Sequence, residues 1–80
     1  MKNIKLASGH FADYRKKNGL EYMDIDITDF YLGYGGLEDI EVHTELLTNL
    51  KNDGWKNRGI DINMDRYDSI DTVILNVVKF

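Results

Sequence analysis

Residues 16–21 read Lys-Lys-Asn-Gly-Leu-Glu, and this stretch decides the first half of the fold. Asn followed by Gly suits the two positive-φ positions of a type I′ turn, which joins the strands of a tight β-hairpin. With Asn18 and Gly19 as the turn, residues whose numbers sum to 37 face each other. We therefore expect Ala12 to pair with Ile25 in an antiparallel ladder.

The two strands of this hairpin alternate between an apolar and a polar face. The apolar face holds Ala12, Tyr14, Met23, Ile25 and Ile27, and the polar face holds Phe11, Asp13, Arg15, Tyr22, Asp24 and Asp26. The register sets Asp13 opposite Asp24, a like-charge pair that destabilises the ladder unless a positive group is near. This pair either argues against the register or indicates a positively charged partner.

The apolar pattern also extends towards the N-terminus. Ile4, Leu6 and Ser8 continue the even-numbered face, so the first strand is expected to begin near Lys2. Gly9 then marks a bulge or a break in that strand.

Helical spacing begins at Leu37 and continues to about Asn52. An apolar stripe at i, i+3, i+7 and i+10 is formed by Ile40, His43, Leu47 and Leu50, and Leu46 widens it. Acidic residues in the first turns and Lys51 in the last suit the helix macrodipole. An alternative makes residues 40–42 a short strand and starts the helix at Thr44 as N-cap.

The remaining segments predict a loop and two further strands. Three glycines in residues 33–36 indicate that residues 30–36 form a loop. Ile60, Ile62 and Met64 alternate with polar residues as in a half-buried strand, residues 66–71 form a turn, and residues 72–80 form a central strand. The order β-β-α-β-β predicts a single α+β domain over residues 1–80, with one helix on one face of a four-stranded antiparallel sheet.

Composition excludes several classes of protein. The 80 residues contain no Cys and no Pro, so there is no disulfide framework, thiolate metal site or Cys nucleophile. The longest strictly apolar run is residues 73–75, too short for a membrane span, and the first eight residues lack the apolar core of a signal peptide. We expect a cytoplasmic protein with no membrane association.

The formal net charge of -4 hides a strong segregation of charge. Residues 18–50 contain no Lys or Arg and eight acidic residues, whereas most of the N-terminal charges are positive. One interpretation is a solvated face that keeps the protein soluble. The other is an acidic surface that meets a basic partner, because a charged field speeds association and selects partners.

No motif in the chain indicates catalysis, a metal or a cofactor. Ser8 and His10 lie at i and i+2, which on a strand leaves them too far apart for a catalytic pair. Asp61, Asn63 and Asp65 match the start of a calcium loop, but the loop's Gly and bidentate Glu are missing, and strand alternation explains the spacing. The acidic balance argues against direct nucleic-acid binding. We expect a non-enzyme with no cofactor and no metal.

Protein binding is the function that the residues favour. Tyr residues are common interface anchors, and two of them stand on the Gly-rich segment among the acids. The candidate partner-binding residues are Asp24, Asp26, Asp29, Tyr31, Tyr34, Glu38, Asp39, Glu41 and Glu45. They predict a protein partner with a basic surface. An exposed edge strand, either the first or the strand of residues 60–65, leaves a homodimer open.

Three features of the sequence together are typical of one class of small proteins. They are the small size, the absence of Cys and Pro, and the uninterrupted acid block of residues 21–45, centred on Asp24-Ile-Asp26-Ile-Thr28-Asp29. The chain resembles the small phage and mobile-element inhibitors of host defence, the anti-CRISPR and anti-restriction proteins. The resemblance implies stoichiometric inhibition in the host cytoplasm, with carboxylates mimicking DNA phosphates in the basic groove of a nuclease or surveillance complex. The alternative is an immunity or antitoxin-like protein, or a small regulator, that binds a protein partner.

Overall fold

The computed structural model describes residues 2–33 and 36–80, and of residues 36–39 the backbone only. Within that part the chain forms a five-stranded antiparallel sheet and two helices, an α+β fold. The elements are β1 (Lys2–Lys5), β2 (Phe11–Lys17), β3 (Leu20–Asp26), α1 (Thr28–Leu32), α2 (Gly36–Asn52), β4 (Lys56–Met64) and β5 (Ile70–Lys79). The strand order is β1-β2-β3-β5-β4.

The predicted hairpin register is confirmed. Ala12 pairs with Ile25, and Asn18 and Gly19 form the turn with φ of 55° and 80°. Asp13 does lie opposite Asp24. The required positive group comes from the chain itself, because an Arg15 guanidinium nitrogen lies 2.9 Å from a carboxylate oxygen of Asp24.

The prediction of four strands is wrong, because the N-terminal segment folds back on itself instead of forming one long strand. Gly9 adopts a φ of 93° that favours glycine, and the Leu6 N–H donates to the His10 carbonyl at 2.8 Å. The resulting turn separates β1 from β2, and Lys2 pairs with Tyr14. Gly9 is therefore a break, one of the two roles that its position predicted.

The predicted loop over residues 30–36 begins within a short helix. Asp26 ends β3 and its Oδ1 accepts the N–H of Thr28 at 2.9 Å, which satisfies a donor at the start of α1. Gly33 ends α1 in the left-handed conformation, with its N–H on the carbonyls of Asp29 and Phe30. Tyr34 and Gly35 lie outside the described residues.

The long helix is confirmed, but the face it buries differs from the predicted stripe. Thr44 lies inside α2 and its hydroxyl donates to the Ile40 carbonyl, so the alternative with a strand and a Thr44 N-cap is wrong. Leu46 is 1% exposed and Leu50 is also buried, whereas Ile40 and Leu47 are 51% and 47% exposed. The buried face is therefore rotated from the centre of the stripe towards Leu46.

The core lies between α2 and one face of the sheet. The prediction that residues 72–80 form a central strand is confirmed, because β5 lies between β3 and β4. The core residues are Ala12, Met23, Ile25, Ile27, Leu46, Leu50, Val73, Leu75 and Val77.

Both helices in the described part are too short or too polar to cross a membrane.

Candidate functional site: the open face of the sheet

The sheet face opposite α2 is uncovered by any element of the described chain. It carries the polar side of the predicted hairpin, extended by the neighbouring strands. One continuous row of paired residues crosses all five strands, in the order Asn3, Asp13, Asp24, Asn76 and Gly59. Directly paired residues point to the same side, so these polar side chains share the open face.

A shallow cleft of about 490 Å³ lies along this face. Four carboxylates line it, from Asp13, Asp24, Asp26 and Asp61. The rest of the lining consists of Asn3, Phe11, Ala12, Ile62, Asn63, Ile74 and Asn76, and no Lys or Arg of the described chain is among these residues. The lining of the cleft is therefore negatively charged, and the exposed ring of Phe11 adds an apolar surface.

Three of the four carboxylates are held by the protein itself. Asp24 pairs with Arg15, Asp26 accepts the N–H and hydroxyl of Thr28, and Asp61 accepts the side-chain amide of Asn76 at 2.8 Å. Asp13 has no such bond within the described residues. Since these bonds fix three side chains before any partner arrives, little rotamer entropy is lost on binding.

A basic end adjoins the acidic cleft. Two guanidinium groups lie near the Tyr22 ring, those of Arg15 and Arg58, at 4.9 Å and 5.0 Å from its centroid. Cations at this distance are attracted by the ring quadrupole, which orders both side chains. The open face therefore carries acidic side chains at one end and basic side chains at the other.

The predicted site residues separate onto different parts of the molecule. Asp24 and Asp26 lie in the cleft, while Asp29 and Tyr31 are exposed on α1. Glu41 and Glu45 are exposed on α2, on the far side of the sheet. Glu38 and Asp39 lie within α2, but only their backbone is described. Tyr34 lies outside the described residues altogether. The described side chains of the acid block therefore do not form one continuous surface.

Two of the four cleft carboxylates, Asp13 and Asp61, were missed in the candidate set. The hairpin register already placed Asp13 beside Asp24, so its place on this face was available from the sequence. Asp61 reaches the cleft only because of the strand order. It pairs with Ile74 of β5, and Ile74 pairs with Asp26 of β3. No local signal brings residue 61 to residue 26.

The calcium-like spacing does not produce a shared site. Asp61 bonds to Asn76, Asn63 donates to Thr72, and Asp65 accepts the N–H groups of Tyr67 and Ser69 in the β4–β5 turn. Across the described residues, no group of three or more metal-ligating side chains is placed to hold an ion.

A second cluster lies at the end of the sheet near the β1–β2 turn. Ser8 Oγ and His10 Nδ1 are 2.8 Å apart, so the expectation that i and i+2 would not approach is wrong. It fails because the segment turns here instead of continuing as a strand. The His43 ring stacks on Phe30 at 3.7 Å, and its centroid is 6.4 Å from that of His10. The cluster joins α1, α2 and the β1–β2 turn.

This cluster predicts that stability falls in mild acid. Burial lowers the pKa of His43 from its usual 6.5, and the nearby His10 lowers it further. The unfolded chain then takes up a proton at His43 more readily than the folded protein does. Stability is fully present above about pH 6.5 and falls as the pH drops towards the lower folded pKa. We expect a lower Tm at mildly acidic than at neutral pH, measured by circular dichroism.

The variant His43→Leu is the control for this effect. It removes the titrating ring and retains an apolar side chain, so the difference in Tm between the two pH values should shrink. An unchanged difference would show that another group causes the acid sensitivity.

Comparison of the chain with protein-family models, curated proteins and solved structures gives no match. The fold and the open face define a small α+β protein with an acidic cleft on an uncovered sheet.

Proposed function

We propose that this protein acts without catalysis, by binding a basic surface of a protein partner through the open face of its sheet. The observation that carries the proposal is the cleft lined by Asp13, Asp24, Asp26 and Asp61 with no Lys or Arg among the described lining residues. The partner class suggested by the resemblance is a nucleic-acid-binding enzyme complex of host defence. Its basic groove would receive these carboxylates in place of phosphates, which would make the protein an anti-CRISPR-like inhibitor.

The charge layout supports recognition of one particular orientation. A basic groove is attracted to the acidic cleft and repelled by the end that carries Arg15 and Arg58. Complementary charge raises association rates and fixes register, and like charges reject wrong orientations.

The acidic residues of α2 provide a matched comparison. Glu41 and Glu45 carry the same charge as two cleft residues but lie on the opposite side of the sheet. A single flat contact with the open face therefore leaves them in solvent. The proposal assigns the interface to Asp24 and Asp26 of the predicted set, together with Asp13 and Asp61.

The test compares two double charge reversals. Asp13→Lys with Asp61→Lys alters the cleft, and Glu41→Lys with Glu45→Lys alters the helix; each pair takes the net charge from -4 to zero. Asp24 and Asp26 are left intact because they hold Arg15 and α1. Removing one member of a desolvated charge pair costs about 2–5 kcal/mol. The cleft variant should therefore bind the partner at least about a hundredfold more weakly than the parent, and the helix variant as the parent does.

The partner is first captured from host lysate on the tagged protein, identified, purified and then titrated by calorimetry at low and high salt. Double-stranded DNA added in competition should displace the protein if the contact is a nucleic-acid groove. If both variants fold and lose the same amount of affinity for the partner, the effect depends on net charge alone, and the proposal is overturned. A captured toxin that DNA does not displace would support the immunity-type alternative.

A further inference from the structure

Strand β4 leaves its outer edge without a partner strand in the described structure. Ile60, Ile62 and Met64 on this strand are 51%, 45% and 53% exposed. Ile60 and Ile62 pair with Leu75 and Val73 of the core, so they point to the side that carries α2. Proteins usually protect such an edge, because its free N–H and C=O groups are a template for another strand.

The other edge of the sheet shows what protection looks like here. Strand β1 has four residues, and two of them are Lys2 and Lys5. Short strands and Lys are two ordinary ways of blocking edge pairing. Strand β4 has nine residues; its two positive charges, Lys56 and Arg58, precede Ile60, and the stretch from Ile60 to Met64 has none. The two edges therefore differ in the direction expected if β4 has a partner.

Two apolar side chains of α2, Ile40 and Leu47, are also exposed. Val42 and Asn49 lie beside residues of the β1–β2 turn, where they line small cavities together with His10 and Leu6 respectively. That flank of α2 therefore faces β1 and β2. On a helix, residues 40 and 47 lie on the other side of the buried face from residues 42 and 49. The side chains of residues 40 and 47 and those of Ile60 and Ile62 are exposed on the side of the sheet that carries α2.

We infer that β4 pairs antiparallel with β4 of a second copy of this chain, about a two-fold axis at Ile62. Each Ile62 then faces the partner's Ile62, and Ile60 faces the partner's Met64. The six apolar side chains form one stripe between the two helices. On the open face, Asp61 faces the partner's Asn63, so a carboxylate meets an amide and not a second carboxylate.

The irregularities of β4 select this register among the two-fold alternatives. The pairing of β4 with β5 shifts twice: at the first shift the extra residue is Arg58 of β4, and at the second it is Asp71 of β5, so β4 itself is regular from Gly59 to Met64. An axis at Asp61 would place that carboxylate opposite its own copy. An axis at Ile60 would place Ile62 against the partner's Arg58 and extend the pairing across the first irregularity.

The dimer has a salt dependence opposite to that of the proposed partner contact. Each copy carries a net charge of -4, so the copies repel one another and added salt should strengthen the dimer. Binding of a basic partner should weaken in salt. The inference does not rest on the proposed function, and the two can fail separately.

The register is tested by single cysteines, since the chain contains none. Directly opposite residues have Cβ atoms about 4.5–5.5 Å apart, close to what a disulfide needs. Ile62→Cys should therefore form an intersubunit disulfide under mild oxidation. In Ile60→Cys the two thiols are separated by four residues along the strands, about 13 Å, and should not bridge. Equal cross-linking of both variants, or of neither, would overturn the register.

The dimer itself is tested by sedimentation of the unmodified chain at micromolar to millimolar concentrations. Ile62→Lys should raise the dissociation constant at least about tenfold, since it places two like charges on the axis. The control is Phe11→Lys, which alters an exposed side chain on the opposite face of the sheet, on a strand that β3 and β5 separate from β4, and should leave the dimer intact. A chain that sediments as a monomer at every concentration and salt would overturn the inference.

Discussion

Leu46→Ala should lower the free energy of unfolding by about 2–5 kcal/mol, whereas Leu47→Ala should lower it by less than about 1 kcal/mol. The two residues are adjacent in sequence and chemically identical, but Leu46 is 1% exposed and Leu47 is 47% exposed. Truncation of Leu46 leaves a cavity beneath α2 in addition to the lost transfer free energy. An 80-residue domain is stable by roughly 4–12 kcal/mol, so this loss is a large part of the total.

Urea unfolding followed by far-ultraviolet circular dichroism measures the free energy of unfolding of both variants and of the parent. The pair tests the orientation of α2 directly, because the sequence pattern alone places both leucines on the apolar stripe. Equal losses for the two variants, or a larger loss for Leu47→Ala, would mean that α2 packs on the sheet with a different face.

Thr28→Val should cost about 1–3 kcal/mol although it preserves the shape of the side chain. The Thr28 hydroxyl accepts the N–H of Val73 at 2.9 Å and donates to Asp26 Oδ1 at 2.6 Å. Val73 is fully buried, so its N–H loses its acceptor in a place that water does not reach. A buried donor without an acceptor costs its full desolvation.

Thr28→Ser is the matched control, since it keeps the hydroxyl and loses only a methyl group. It should retain most of the stability in a urea titration. Hydrogen exchange should show the Val73 amide strongly protected in the parent and in Thr28→Ser, and less protected in Thr28→Val. The same protection in all three proteins would contradict the assigned bond.

These two positions show what kind of information a local pattern contains. Helical periodicity identified α2 because the spacing of apolar residues is a property of the helix alone. It did not identify Leu46 as the centre of the buried face, because Ile40 and Leu47 belong to the same stripe. Their exposure depends on where α2 crosses the sheet, and that is a tertiary property.

The candidate site divides in the same way. The Asn18–Gly19 turn and the alternation of the hairpin were sufficient to place Asp13, Asp24 and Asp26 on one face. The helical acids Glu41 and Glu45 were grouped with them because they lie in one acidic stretch of sequence. Nearness in sequence says nothing about which side of a sheet a residue occupies.

The sequence by itself determined the hairpin register, the long helix, the central position of β5 and the antiparallel α+β class. Each of these depends on short-range physics: turn conformation, side-chain period and burial of an apolar run. Only the tertiary structure decided that Gly9 lies in a turn between β1 and β2, that β4 is an edge whose isoleucines stay exposed, and that Asp61 joins the cleft. These depend on which strands become neighbours, and strand order is set by packing over the whole chain.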